Sequence, residues 1–319
     1  MAHSRIRRFL ALSIAGVPAL LLSQTPAAKS PVRPRIYGIA HYATRVADLE
    51  KARAYYKGFL GFEEPFALTG ADGAVTMAFI KINDYQYIEV SPGLKAGEDR
   101  LSHVAFYTDD AEAMRVYLAS RGVKVPDRTP KGRSGNLNFT VQDPDGHGVE
   151  IVQYMPDGWA MRDKGKHTPP TRVSRHIAHF GVISGDANAS MRFYSDILGF
   201  TETWRGAGAG SPSVSWINLR APDGTDYLEL MLYKDEPAPD KRGSQHHFCL
   251  ETPRIGDALE MLKDRDYAAF YGKPLEIRTG INRKRQLNVF DPDGTRMELM
   301  EPFTADASAP PPSTLPLPR

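Results

Sequence analysis

The chain has 319 residues, 41% of them hydrophobic and 24% charged, with a formal net charge of +2. That length favours two domains, and the composition is ordinary for a soluble protein with a real core. So even a charge balance excludes a strongly basic surface for nucleic acid or anionic membrane, and the single cysteine, Cys249, excludes an internal disulfide.

At the start of the chain, Arg5, Arg7 and Arg8 precede an apolar run from Phe9 to Leu22, and the small residues Thr25, Ala27 and Ala28 follow. Basic end, short apolar stretch and small-residue cut site are the order of a secretory signal peptide over residues 1–27. The run is short for a bilayer span and holds Pro18, so the mature protein is expected without a membrane anchor, exported to the periplasm or beyond. Removing this segment takes away three arginines and no acids, which moves the charge to −1.

The remainder is a repeat. Gly38-Ile-Ala-His41-Tyr42 recurs as His176-Ile-Ala-His179-Phe180, and Leu60-Gly61-Phe62 as Leu198-Gly199-Phe200, at one constant offset of 138 residues. Asp143-Pro-Asp-Gly146 with Glu150 recurs as Asp291-Pro-Asp-Gly294 with Glu298. Two homologous domains follow, at 36–156 and 175–302, with a polar linker over 157–174 and a disordered Pro-rich tail over 303–319.

Each domain divides again. In the first quarter Asp48 caps a helix with Leu49, Ala52, Tyr55, Tyr56 and Phe59 on one face, and Gly61 stops it. Strands are predicted at Met77–Ile82 and Tyr85–Val90. The second quarter has a strand from Leu101 to Phe106, a helix capped by Asp109 or Asp110 and ended by Gly122, and a hairpin of Asn138–Gln142 with Val149–Tyr154 across the Asp-Pro-Asp-Gly turn. The third and fourth quarters repeat the plan, so the expected fold is α+β, built of four βαβββ modules.

Each module puts a histidine in its first strand (His41, His103, His179, His246) and a glutamate in a late strand (Glu89, Glu150, Glu229, Glu298). The separations are 48, 47, 50 and 52 residues. Imidazole and carboxylate together suit divalent Zn, Ni, Co, Mn or Fe(II). A solvated face would explain one such glutamate, but Glu89 and Glu298 stand among apolar neighbours on both sides. His247 should point to the opposite face from His246, and His147 should be exposed in its turn. Arg283 and Arg285 are candidates to grip an anionic substrate group, and Lys131 and Arg133 hold the equivalent region of the first domain. Trp204 and Trp216 pack or line a cleft.

The strand histidines, the helix ends Tyr-Tyr-Lys-Gly-Phe-Leu-Gly-Phe62 and Phe-Tyr-Ser-Asp-Ile-Leu-Gly-Phe200, and the two Asp-Pro-Asp-Gly turns resemble the vicinal oxygen chelate (VOC) superfamily. It includes glyoxalase I, bleomycin-resistance proteins and extradiol dioxygenases. The resemblance implies paired modules that form a U-shaped sheet around a metal, with a bidentate oxygen substrate chelating it. Carried over, it implies the ligand sets His41/Glu89/His103/Glu150 and His179/Glu229/His246/Glu298, with Glu150 and Glu298 as proton-moving bases. The family also permits module 1 to pair with module 4, giving His41/Glu89/His246/Glu298 and His103/Glu150/His179/Glu229. Spacing does not choose between these.

The resemblance implies an enzyme of glyoxalase-like lyase or isomerase chemistry on a small oxygen-chelating molecule, acting as a monomer or homodimer. Fe(II) extradiol dioxygenase is the alternative. Against it, Glu229 crowds the open side of the triad and Asn288 stands where ring-cleaving relatives usually have a tyrosine. A non-catalytic small-molecule binder, as in bleomycin resistance, is the third reading, and eight ligand-type residues argue against it.

Overall fold

The computed structural model describes residues 30–267 and 271–318, together with Met1. The export signal expected over 1–27 lies outside the described residues. Among these, no helix is long and apolar enough to cross a membrane.

Strand β1 (Ile36–Val46) runs into helix α1 (Leu49–Arg53), which Asp48 caps by accepting from the backbone of Glu50 and Lys51. The helix continues as a wider π turn over Ala54–Phe59, buries Tyr55, Tyr56 and Phe59, and ends at Gly61, whose φ of 76° a glycine adopts without strain. Strands β2 (Glu63–Thr69), β3 (Val75–Lys81) and β4 (Tyr87–Pro92) complete the module. The second module has β5 (Leu101–Thr108), helix α2 (Ala111–Ser120) capped by Asp110, β6 (Leu137–Gln142) and β7 (Gly148–Gln153). It lacks one expected strand. In that place only a single bridge, Lys131 to Leu137, is made.

A short helix, α3 (Trp159–Arg162), leads to the second half. There β8 (Ile177–Ser184), α4 (Ala187–Met191), β9 (Thr201–Gly206), β10 (Trp216–Arg220) and β11 (Tyr227–Leu232) form the third module. The fourth has β12 (His247–Glu251), α5 (Ile255–Lys263), β13 (Ile277–Thr279), β14 (Lys284–Phe290) and β15 (Arg296–Thr304).

Modules pair within each half. One sheet runs β2-β3-β4-β1-β5-β7-β6 and the other β13-β14-β15-β12-β8-β11-β10-β9. The crossed pairing of module 1 with module 4 is therefore not adopted. In each sheet β1 or β8 sits at the centre, parallel to its own module's last strand and antiparallel to the next module's first.

One apolar core joins the halves, with Tyr42 against Phe248 and Phe106 against Phe180 and Phe200. Two matching contacts tie helices to turns across it. Tyr56 Oη donates to Asp291 at 3.3 Å, and Tyr194 Oη donates to Asp143 at 2.9 Å.

The tail is seated, which corrects the expectation of disorder. Ser313 N donates to Arg205 O, Val214 N to Pro316 O, and Trp204 Nε1 to Pro311 O at 3.3 Å. Prolines cannot extend a helix or a full ladder, yet their carbonyls still accept. Arg205 and Trp204 belong to the edge strand β9, which offers unpaired groups to them.

Candidate metal centres

Because side chains alternate across a strand, His41 on β1 turns away from the core that Tyr42 enters. Glu89 and His103 lie on β4 and β5, which flank β1, and Glu150 on β7 beyond β5, and all reach the same side of the sheet. His41 Nε2 and His103 Nε2 are 2.9 Å apart. Glu89 approaches each histidine at 3.6 Å, and Glu150 Oε2 is 3.2 Å from His103 and 3.9 Å from His41. Asn138 Nδ2 donates to the outer Glu150 oxygen at 2.7 Å and so fixes the carboxylate's direction.

The second domain repeats this with one change. His179 Nε2 and His247 Nε2 are 3.2 Å apart, Glu298 lies 3.4 Å from His179, and Glu229 lies 3.4 Å from His247. The expected His246 is not among them. It faces the core between the domains, where its Nδ1 is 3.1 Å from Asp99 and its ring stands edge-on to His147 at 5.0 Å. The reason is ladder register. His103 pairs with Ala43 across β5 and β1, and His247 pairs with Gly181 across β12 and β8. A β-carbon at Gly181 would collide with the His247 ring, so the glycine makes the room that the imidazole occupies.

A sequence signal for His247 existed. Each inward histidine precedes a large core residue and then a small one: Tyr42-Ala43, Val104-Ala105, Phe180-Gly181 and Phe248-Cys249. His246 is followed by a histidine and does not fit.

Other expectations also change. His147 is held at 2.9 Å by Asp143 with its side chain 8% exposed, not free in its turn. Arg283 occupies a positive-φ turn and reaches Asp306 and Ser308, while Arg285 pairs with Glu301. Neither lines the second-domain cleft. The arginines that do are Arg278 and Arg296, and Arg296 Nη2 lies 2.8 Å from His247 Nδ1. Lys131 pairs with Asp157 at the surface, and Arg133 reaches Thr69 O.

Burial shapes the charges. It pulls His41 down to about 3 and, with Arg296 nearby, holds His247 well below the usual histidine range, so both imidazoles are neutral. Burial, with the neighbouring Glu150 charge, pushes Glu89 up to about 8. It works against ionisation of Glu150 too, but the hydrogen bond to His103 and the two histidines outweigh it and bring Glu150 to about 2. Burial raises Glu229. In Glu298 the same burial is overcome by His179 and Arg296, and the proton affinity falls.

Imidazole nitrogens facing each other beside carboxylates have the donor set of a divalent ion. Ligand bonds of about 2.0–2.2 Å require ligand atoms roughly 3.0–3.5 Å apart; the second-domain spacings of 3.2–3.4 Å match this, and those of the first domain spread from 2.9 to 3.9 Å. His179 Nδ1 is buried without a partner, which leaves that ring dependent on its Nε2 side for orientation. Tyr227, stacked on it at 4.4 Å, helps to hold it.

The cavities beside the two centres differ in size. Around Glu229 and Glu298 a cavity of about 540 Å³ opens, with Trp204, Trp216, Arg278 and Arg296 in its walls. Beyond Trp204 and Asn282 a further cavity of about 300 Å³ is lined by His176, Tyr227, Lys284 and Pro310. The first-domain cavity, beside His41, Glu89 and Glu150, measures about 40 Å³.

The family model of the Glyoxalase/Bleomycin resistance protein/Dioxygenase superfamily matches residues 38–151 and 176–299. The chain belongs to this superfamily. Its paired-module sheets are those of tandem VOC domains. The fold is similar to that of the 2,3-dioxygenase LapB from Pseudomonas sp. KL28, with a TM-score of 0.64 at 17% identity over 90% of this chain and 98% of that one. It is also similar to homoprotocatechuate 2,3-dioxygenase from Brevibacterium fuscum in its complex with 3,4-dihydroxyphenylacetate, with a TM-score of 0.63 at 18% identity over 86% and 83%. An uncharacterized protein, YwbC, of Bacillus subtilis (strain 168) is 25% identical over 121 residues, covering 36% of this chain and 96% of its own. At these identities the structural likeness carries the fold.

Proposed function

We propose that this VOC protein is a metal-dependent enzyme whose reaction centre is His179, His247, Glu229 and Glu298, acting on a small molecule that presents two neighbouring oxygens. The observation that carries the reading is the converging trio of His179, His247 and Glu298, with Glu229 3.4 Å from His247, whose two carboxylates line a cavity of about 540 Å³, a volume suited to a small organic ligand. A borderline divalent ion held there supplies Lewis acidity to the chelating oxygens.

The chain's own groups favour proton transfer, the chemistry of a lyase or isomerase. Glu229, with its raised proton affinity, is a better base than Glu298, whose affinity is lowered. Arg296 in the same wall stabilises negative charge that grows on a substrate oxygen, and Trp204 and Trp216 narrow the space open to water. A ring-opening dioxygenase is the second reading. It is favoured by His179, His247 and Glu298, whose ligand atoms lie within 4.8 Å of one another as a two-histidine, one-carboxylate face.

The test is metal content followed by two assays on protein loaded with Zn, Ni, Co, Mn or Fe(II). Hydroxyacetone in D₂O reports proton exchange at the carbon beside its carbonyl, and oxygen uptake on catechol reports the second reading. Exchange that is lost in Glu229→Gln while metal is retained supports the proposal. Absence of stoichiometric metal in the second domain sinks both readings. We place the activity outside the cytoplasm on the residue order of the first 27 positions; cell fractionation that leaves an uncleaved protein in the cytosol rejects this.

A further inference from the structure

Trp204 and Asn282 line both second-domain cavities, and the strands pass from one cavity to the other in steps of two residues. Tyr227, Lys284 and Met300 border the cavity of about 300 Å³, whereas Glu229, Gln286 and Glu298 border that of about 540 Å³. Two residues along a strand cover roughly 6.6 Å on one face, so the cavities are consecutive stretches of a single trough. The ligand glutamates line the larger stretch. Tyr227, stacked on His179 at 4.4 Å, stands where the smaller one begins.

The first domain fills the matching place with aromatic rings. Phe79 pairs with Glu89 across β3 and β4 as Asn218 pairs with Glu229 across β10 and β11, and Phe66 stands at the 138-residue offset from Trp204. Phe66 and Phe79 lie 5.1 Å apart, and Trp159 packs on them at 5.1 and 6.1 Å. The second domain puts an amide where the first has the Phe79 ring. Asn218 is 8% exposed, and its Oδ1 is buried without a partner. Buried acceptors are costly to leave unpaired and ordinarily find a donor, and here the side chain borders the cavity. Lys284 and Glu251 line the same space, a cationic donor and an anionic acceptor.

A ligand that suits this wall donates to Asn218 and Glu251, accepts from Lys284 and lays apolar faces on Trp204 and Tyr227. Hydroxyls donate and accept alike, and the C–H faces of a hydroxylated chain pack on aromatic rings. A carboxylate or an alkyl tail would leave the Asn218 acceptor stranded. We propose that the cavity of about 300 Å³ is a second subsite of this centre and takes a polyhydroxylated chain, so that the substrate class is a sugar-like hydroxymethyl ketone. It rests on the reading of His179, His247, Glu229 and Glu298 as the reaction centre, and adds what the far end of the substrate carries.

The experiment compares D-xylulose with hydroxyacetone on the metal-loaded full chain. Both carry the hydroxymethyl ketone, and xylulose replaces the methyl group by a hydroxylated chain. The kcat/KM for deuterium exchange at the hydroxymethyl carbon should be roughly tenfold or more higher for xylulose, the worth of pairing a buried polar group. Asn218→Leu, close in volume, should bring that ratio down about tenfold and weaken xylulose binding, read by tryptophan emission, to the same extent. Its melting temperature should hold or rise, since an unpaired buried acceptor is removed. Lys284→Met should lower the ratio in the same direction, which keeps the test intact if Asn218→Leu fails to fold. A ratio near one in the parent, or a ratio that both variants leave in place, overturns the subsite, while exchange on hydroxyacetone keeps the second-domain enzyme standing. Xylulose binding that Asn218→Leu weakens, without exchange on either ketone, supports the cavity and sinks the enzyme. Neither binding nor exchange overturns both.

Discussion

His246 and His247 are neighbours in the chain and serve opposite faces of one strand: His247 Nε2 lies 3.2 Å from His179 Nε2 in the cleft, and His246 Nδ1 lies 3.1 Å from Asp99 in the domain interface. Alanine at the two positions should separate binding from stability. His247→Ala should lose the second-domain metal. His246→Ala should keep it but cost about 1.5–3 kcal/mol of stability, the usual worth of a hydrogen bond to a charged group. Metal analysis beside urea denaturation checks both, and loss of metal in His246→Ala would contradict the assignment.

Asp291 sits beneath the other domain's Tyr56, and burial pushes its carboxyl up to about 6. The folded protein therefore binds a proton that the unfolded chain, near 3.8, has already released. Its contribution is favourable below the unfolded value and is lost as pH rises through about 6. Asp291→Asn resembles the protonated form, so its stability relative to the parent should grow between pH 4 and 7, by at most about 3 kcal/mol. Denaturation curves that stay parallel over this range would refute the account.

Lys81 is fully buried, within 3.0 Å of Asp84 and 2.8 Å of Asp163. Truncation strands those acids at the base of α3. Lys81→Ala should destabilise the protein by about 3–5 kcal/mol, because breaking a buried pair leaves a charge uncompensated. Chemical denaturation measures it; a change under about 1 kcal/mol, typical of exposed pairs, would place the lysine in solvent.

The tail covers Trp204 through Pro311 and adds hydrogen bonds from Ser313 and to Pro316. Ending the chain at Ala309 removes all three, each worth about 1 kcal/mol net. A lower melting temperature and red-shifted tryptophan emission are expected. Unchanged emission would show that the tail does not rest on Trp204.

The repeat made most of the architecture readable. Asp48 and Asp110 cap where their position before apolar helical faces predicted, Gly61 stops its helix, and the histidine and glutamate bands fall on the four central strands of each sheet. Module 2 departs from the repeat where Pro126, Pro130, Gly132 and Gly135 interrupt the segment, so that only Lys131 bridges to Leu137. The tail was misread because proline-rich composition removes donors but says nothing about carbonyls that an edge strand's neighbours can use.

By itself the sequence determined the four modules, the number of histidine and glutamate candidates and the strands that carry them, since periodicity and repeat spacing are properties of one chain segment at a time. Tertiary structure decided the rest. Which of two adjacent histidines enters the cleft depends on pairing with Gly181, 66 residues earlier, because strand parity flips with a single residue of register. How much space is left beside each centre depends on where Trp159 and the tail come to rest. Those are contacts between distant segments, and identical ligand types in both domains left no trace of the difference.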